Sequence, residues 1–127
     1  MNVVDSSGWI EYFNGGENEA FFAPVIEDIT QVIVPTISLF EVFKRILQQS
    51  GKEYALEAVA IMQEAQVVDL DSATALVAAE LSNDYKLPLA DSIILATARA
   101  NSATLWTQDE HFDGLPGVRY VKKRDSR

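Results

Sequence analysis

The spacing of apolar residues changes repeatedly along the chain, and each change marks an element. Asn2-Val3-Val4-Asp5 is a short apolar run ending on an acid, as a strand would, and Ser6-Ser7 then supplies a helix cap. Trp9, Tyr12 and Phe13 recur at helical spacing over 8–13, until Asn14-Gly15-Gly16 stops the helix. A second short helix is expected over 19–28. Gln31-Val32-Ile33-Val34 is almost continuously apolar, the signature of a strand buried on both faces of a parallel sheet. Pro35-Thr36-Ile37-Ser38 opens a helix that ends at Ser50-Gly51, with Leu39, Phe43, Ile46 and Leu47 forming one stripe at i, i+4, i+7 and i+8.

The second half repeats the alternation. A helix over 53–65 precedes a strand over 66–70, and Asp71-Ser72 caps a helix running to about residue 85 with Leu76, Val77, Ala79 and Leu81 turned inward. Pro88 then suits the first turn of the next helix, in which every residue from Ile93 to Ala98 except Thr97 is apolar, so this helix is expected to be buried on most sides. Asp91 lies in its first turn. An ionised carboxylate there must cap backbone N–H groups or meet a cation, because burying it alone costs several kcal/mol. A fourth strand over 103–106 leads to a loop that projects Thr107 and Asp109, Phe112 returns the chain to the core, and a fifth strand covers 118–121. Strands alternating with helices predict a single α/β domain, with a central mostly parallel sheet of about five short strands flanked by helices on both faces.

Composition narrows the chemistry. The 127 residues suit one domain, with a basic tail over 122–127. No apolar run approaches the roughly 18 residues of a membrane span. Met1-Asn2-Val3-Val4-Asp5 carries an acid where a signal peptide would carry Lys or Arg, so a cytoplasmic protein is expected. The absence of cysteine excludes thiolate nucleophiles, disulfides and cysteine-ligated zinc, which leaves oxygen ligands and the single histidine, His111. Nineteen acids against ten bases give a net charge of −9, yet five of the bases (Arg119, Lys122, Lys123, Arg124 and Arg127) fall in the last nine residues. The acidic body repels nucleic acid at long range and favours basic partners or cations, while a local basic strip can still touch phosphates.

In parallel α/β sheets, ligands bind outside the carboxyl ends of the strands. Asp5 and Asp109 fall at or just past strand ends, and Glu41 and Asp91 lie in the first turns of helices whose N-termini point at the same edge. Each has a plainer reading taken singly. Asp5 serves as a turn or cap residue and Glu41 as the partner of Lys44 or Arg45 on a solvated face, just as Asp69 and Asp71 read as a strand end and a helix cap. Gathered together, the four carboxylates of Asp5, Glu41, Asp91 and Asp109 cannot all ionise without a compensating cation. An oxygen-only cluster suits Mg²⁺ or Mn²⁺, and phosphodiester hydrolysis is the chemistry such a site performs.

The segments Val4-Asp5-Ser6-Ser7, Ser38-Leu39-Phe40-Glu41-Val42, Leu89-Ala90-Asp91-Ser92-Ile93-Ile94-Leu95-Ala96-Thr97-Ala98 and Thr107-Gln108-Asp109-Glu110-His111-Phe112, in this order and across essentially the whole chain, resemble the PIN domain. The similarity is greatest to the VapC toxins of toxin–antitoxin pairs. The resemblance implies a Mg²⁺- or Mn²⁺-dependent endoribonuclease. In it Asp5, Asp91 and Asp109 hold the metal or its waters, Glu41 orients the attacking water or a second ion, and the hydroxyls of Ser6 and Thr107 support them. It further implies an RNA substrate, a homodimer and a VapB-type antitoxin bringing a basic side chain towards the acids. Trp9, Tyr12, Phe13, Phe40 and Phe43 then read either as core or as the lining of an aromatic groove for that antitoxin. RNA contacts fall to Lys44, Arg45, Lys86 and the tail, although the tail reads equally as a solvated end.

Other readings fit less of the chain. A phosphoacceptor receiver domain needs paired acids after the first strand and a lysine after the last buried one, where this chain has Asp5 alone and Thr107-Gln108. A phosphatase built on Asp69-Leu70-Asp71 lacks the residue that class needs at Ala73, and a Ser-His-Asp hydrolase has no Gly-x-Ser-x-Gly elbow, so His111 receives no role. A PIN domain outside a toxin pair, whether an RNA-maturation nuclease or a non-catalytic binding module, is the serious alternative.

Overall fold

Val3 and Val4 are adjacent on strand β1 (Asn2–Val4), point to opposite faces and are both fully buried, so β1 has a core on each side. The computed structural model of the chain describes residues 1–124. Residues 125–127 of the basic tail, including Arg127, lie outside the described residues. Around β1 run β2 (Val32–Pro35), β3 (Gln66–Val68), β4 (Thr104–Thr107) and β5 (Val118–Tyr120), in the order β3-β2-β1-β4-β5 with every pairing parallel. The chain leaves β1 towards β2 on one side and returns to β4 on the other. A topological switch point therefore lies between β1 and β4, where a crevice opens at the carboxyl edge.

The helices α1 (Ser6–Phe13), α2 (Glu19–Glu27), α3 (Thr36–Ser50) and α4 (Lys52–Met62) build one core with Val4, Val32 and Val34, around Trp9, Phe22, Val42 and Met62. The helices α5 (Ser72–Tyr85) and α6 (Leu89–Ala100) build the other with Val3, Ile33 and Leu105, around Leu81, Ile94, Leu95 and Phe112. The expected helix after Pro88 is present, and its residues from Ile94 to Ala98 are all buried against α3, α5 and the central strands.

Some side chains face differently from their sequence pattern. In α3 the buried positions are Ser38, Val42 and Ile46, whereas Leu39 and Phe43 are half-buried and Leu47 exposed, because α3 turns the first set to the sheet and the second towards a cleft beside α4. In α5 only Ala78 and Leu81 are buried. Leu76 is 69% exposed, and Val77 and Ala79 also face outwards, because α5 packs on α6 rather than on the sheet and one narrow face suffices. The first helix begins at Ser6 rather than Gly8, with the Asp5 carbonyl accepting from the N–H groups of Gly8 and Trp9. This frees the Ser6 and Ser7 hydroxyls for other partners.

Gly8 holds α1 against the sheet. A Cβ there would lie 2.6 Å from the Phe22 ring and 2.7 Å from a Val4 methyl, closer than packed atoms approach. Gly8→Ala is expected to cost about 1–3 kcal/mol through overpacking, and a thermal melt should show Tm lower by roughly 5–10 °C. An unchanged Tm would mean that α1 slides at no cost.

Candidate active site

Asp5 follows directly on β1, its side chain carried into the crevice and only 3% of the residue exposed. Two hydroxyls donate to its Oδ2, Ser7 Oγ at 2.7 Å and Thr107 Oγ1 at 3.0 Å. Thr107 ends β4 and is fully buried, and its Oγ1 also accepts from the Asp109 N–H at 2.9 Å. One hydroxyl thus ties the ends of β1 and β4 together across the switch point. Asp109 Oδ1 accepts from the His111 N–H at 3.0 Å, capping the single turn Glu110–Phe112 and fixing where its carboxylate points.

Asp91 arrives from the first turn of α6. Ligand atoms of Asp91, Asp109 and His111 lie within 4.8 Å of one another, and the His111 Nδ1 stands 2.9 Å from Asp109 Oδ1 and 3.2 Å from Asp91 Oδ2. Glu41, in the second turn of α3, accepts from Ser6 Oγ at 2.7 Å. Ser6 and Ser7, adjacent in sequence, therefore hold two different acids on two different elements.

Burial pushes the Asp5 carboxyl up to about 6, helped by the charges of Asp109 and Glu41 and opposed by the Ser7 and Thr107 hydrogen bonds. Burial likewise raises Asp91, to about 7, with the charges of Asp109 and Asp5 adding to it and His111 opposing. These carboxyls are crowded by like charge and short of counter-charge. Cationic groups or a bound cation would restore their ionised form.

The crevice brings Asp5, Asp91 and Asp109 into one electrostatic cluster and sets Glu41 at its side, with Ser6 and Thr107 as hydroxyl partners where the sequence places them. It also contains Ser7 and His111. Ser7 was legible only as part of a helix cap, and His111 had no sequence signal, since its approach to Asp91 depends on the turn after Asp109 and not on spacing.

The sequence profile of the PIN domain matches residues 3–118, which take in all four acids. This chain belongs to the PIN domain family. The PIN fold is shared with solved structures along nearly its whole length. A chain of a toxin–antitoxin complex from Klebsiella pneumoniae is 26% identical, with a TM-score of 0.77 over 94% of this chain and 96% of that one. A chain of the DNA-bound VapBC complex from Salmonella typhimurium is 20% identical, with a TM-score of 0.72 over 96% of this chain and 98% of that one. The Mycobacterium tuberculosis toxin VapC20, which cleaves the sarcin–ricin loop, is 17% identical, with a TM-score of 0.70 over 82% of this chain and 85% of that one. No curated protein matches the sequence.

The aromatic residues of this PIN domain divide. Trp9 is fully buried and stacks on Phe13 at 5.8 Å, which makes it core, while Tyr12 donates to Glu27 Oε2 at 3.1 Å. Phe40, 60% exposed, and Phe43 line a separate apolar cleft of about 490 Å³ with Leu39, Leu47 and Val59. Among the described residues, no helix is long and apolar enough to cross a membrane.

Proposed function

We propose that this PIN domain is a divalent-metal-dependent endoribonuclease and the toxin of a toxin–antitoxin pair, with Asp5, Asp91 and Asp109 as metal-holding residues and Glu41 beside them. The observation that carries the reading is the convergence of carboxyls at the switch point, where ligand atoms of Asp91 and Asp109 lie within 4.8 Å of each other and Asp5 is near enough for its charge to act on Asp91. Once ionised, these hard oxygen donors fit Mg²⁺ or Mn²⁺, and His111 adds a nitrogen that Mn²⁺ accepts more readily than Mg²⁺.

A bound ion would activate water and neutralise charge developing on a phosphoryl group. The chain's own residues do the rest. Asp5, pinned by Ser7 and Thr107, and Asp109, pinned by its backbone bonds, are oriented before substrate arrives. Glu41, held by Ser6, would orient the attacking water or a second ion. His111, half-exposed between Asp91 and Asp109, is placed to complete that ligand set.

The toxin assignment rests on the neighbours in toxin–antitoxin complexes, one of them 26% identical over almost the full length. A basic antitoxin suits a chain of net charge −9, and the Phe40–Phe43 cleft suits an amphipathic segment of it. The homodimer and the cytoplasmic location expected from the sequence belong to the same reading. The decisive experiment is cleavage of total RNA by the purified protein with Mg²⁺, with Mn²⁺ and with EDTA. Metal-dependent cutting supports the nuclease, and intact RNA under every condition with a folded protein favours a binding module.

Thr107→Val keeps shape and removes the hydroxyl that serves both Asp5 and Asp109. Loss of such an outer hydrogen bond is expected to weaken Mn²⁺ binding roughly 10–100-fold in a calorimetric titration, with the far-ultraviolet spectrum unchanged. Undiminished affinity would show that the carboxylates need no such bracing.

A further inference from the structure

Beside the acid cluster lies a second cavity, of about 400 Å³, whose lining includes Ser7, Gln108, Asp109, Tyr120, Lys122 and Lys123. It is continuous with the acid site, since Ser7 is the donor to Asp5 and Asp109 is one of the acids. Its lining combines the acids Asp109 and Glu110 with two exposed lysines. Three of the other described bases lie over aromatic rings: Lys44 over Phe40, Arg99 over Tyr85 and Arg119 over Trp106.

The strand end that carries these lysines is held in place. Val121 N–H donates to the Thr107 carbonyl at 3.0 Å. Asn18, buried at the start of α2, donates through Nδ2 to Gln108 Oε1 at 2.9 Å and to the Lys122 carbonyl at 3.1 Å. Gln108 is itself buried and sits between Thr107 and Asp109. A buried amide pair therefore clamps residue 122 to the loop that presents Asp109. At residue 122, the solvated-end reading of the tail gives way to an anchored one.

From this arrangement we infer that Lys122 and Lys123 form the backbone subsite for the phosphate next to the scissile one, with Tyr120 as a face on which the adjoining base stacks. The inference rests on the ribonuclease reading and extends it by naming where the single-stranded chain leaves the acids. The scissile phosphate must sit at the carboxylate cluster, which repels it unless neutralised. A neighbouring phosphate on two lysines offsets that repulsion, and base–aromatic stacking is tolerant of sequence. The cavity volume lies in the usual range for small-ligand clefts, about 300–1,000 Å³.

The test is binding of a fluorescein-labelled, mixed-sequence 12-nucleotide single-stranded RNA in EDTA, followed by anisotropy from 25 to 200 mM NaCl. Lys122→Ala/Lys123→Ala is expected to raise Kd about tenfold at the lowest salt. It should also flatten the log–log salt slope by about 0.7, the loss of one neutralised single-strand phosphate. Lys122→Arg/Lys123→Arg should restore both, and Lys52→Ala/Arg99→Ala, which removes the same charge elsewhere, should do neither. Tyr120→Leu should raise Kd severalfold with the slope kept. Equal effects of the two double alanine variants, unchanged binding by Lys122→Ala/Lys123→Ala, or no binding by the wild type would overturn the subsite. Because binding is read without metal, RNA held through these lysines but never cut would remove the nuclease reading and leave the subsite standing.

Discussion

Asp5→Asn and Asp91→Asn are each expected to lower RNA cleavage by roughly 10²–10³-fold or more, in a protein that remains folded. The size follows from removing one preorganised charged group aimed at the reacting phosphate, since single electrostatic contacts of this type contribute several kcal/mol. Folding is preserved because the amide matches the carboxylate in shape, and the Oδ1 of asparagine still accepts from Ser7 and Thr107. The check is kcat/KM on a defined RNA with circular dichroism and Mn²⁺ titration on the same samples. Cleavage within threefold of wild type in either variant would remove these acids from the mechanism. Glu41→Gln should cost less, because its carboxylate acts from the side of the cluster and is held through Ser6.

The same substitutions are expected to stabilise the metal-free protein at neutral pH. Asp5 and Asp91 titrate near 6 and 7 in the fold against 3.8 for an ordinary aspartate, so the folded state binds protons more tightly than the unfolded one. Groups raised in this way lend their full stability below about pH 4 and lose it as pH climbs through 6 and 7. The loss is on the order of several kcal/mol, since each tenfold change in proton affinity corresponds to about 1.4 kcal/mol. Without metal, the Tm of the wild type should fall by roughly 10 °C relative to Asp5→Asn/Asp91→Asn between pH 4.5 and pH 7.5. Adding Mn²⁺ at pH 7.5 should recover that difference in the wild type alone, with release of protons into an unbuffered solution. Parallel melting curves at both pH values would show that the two carboxyls carry no excess protons in the fold.

These expectations trace to features of unequal visibility. The helix after Pro88 announces itself by six residues with one polar exception, and its Asp91 stands out against that background. Asp5 is marked by a run of valines ending on an acid, and Glu41 gains weight only when the other acids are placed at the same edge. The inward face of α5 was misread, because Leu76 and Val77 satisfy helical spacing but a helix that packs on one neighbour buries less than its pattern offers. The stripe of α3 is divided, with Ile46 buried, Leu39 and Phe43 packed partly on the core and Leu47 exposed. Leu39, Phe43 and Leu47 line an open cleft, and hydrophobicity alone does not distinguish a core face from a face left for a partner.

The sequence by itself determined the alternation of strand and helix, the parallel sheet and the edge at which the acids gather. All of these follow from local periodicity and from caps and turns that act within a few residues. The strand order, the pairing of Ser6 with Glu41 and of Ser7 with Asp5, the approach of His111 to Asp91, and the Asn18–Gln108–Lys122 clamp were decided only by the tertiary structure. Asn18 and the Lys122 carbonyl are 104 residues apart, and a single hydrogen bond across that distance leaves no period in the chain. The raised carboxyls of Asp5 and Asp91 belong with this second group, because burial and like charge act through space and exist only once β1, β4 and α6 converge.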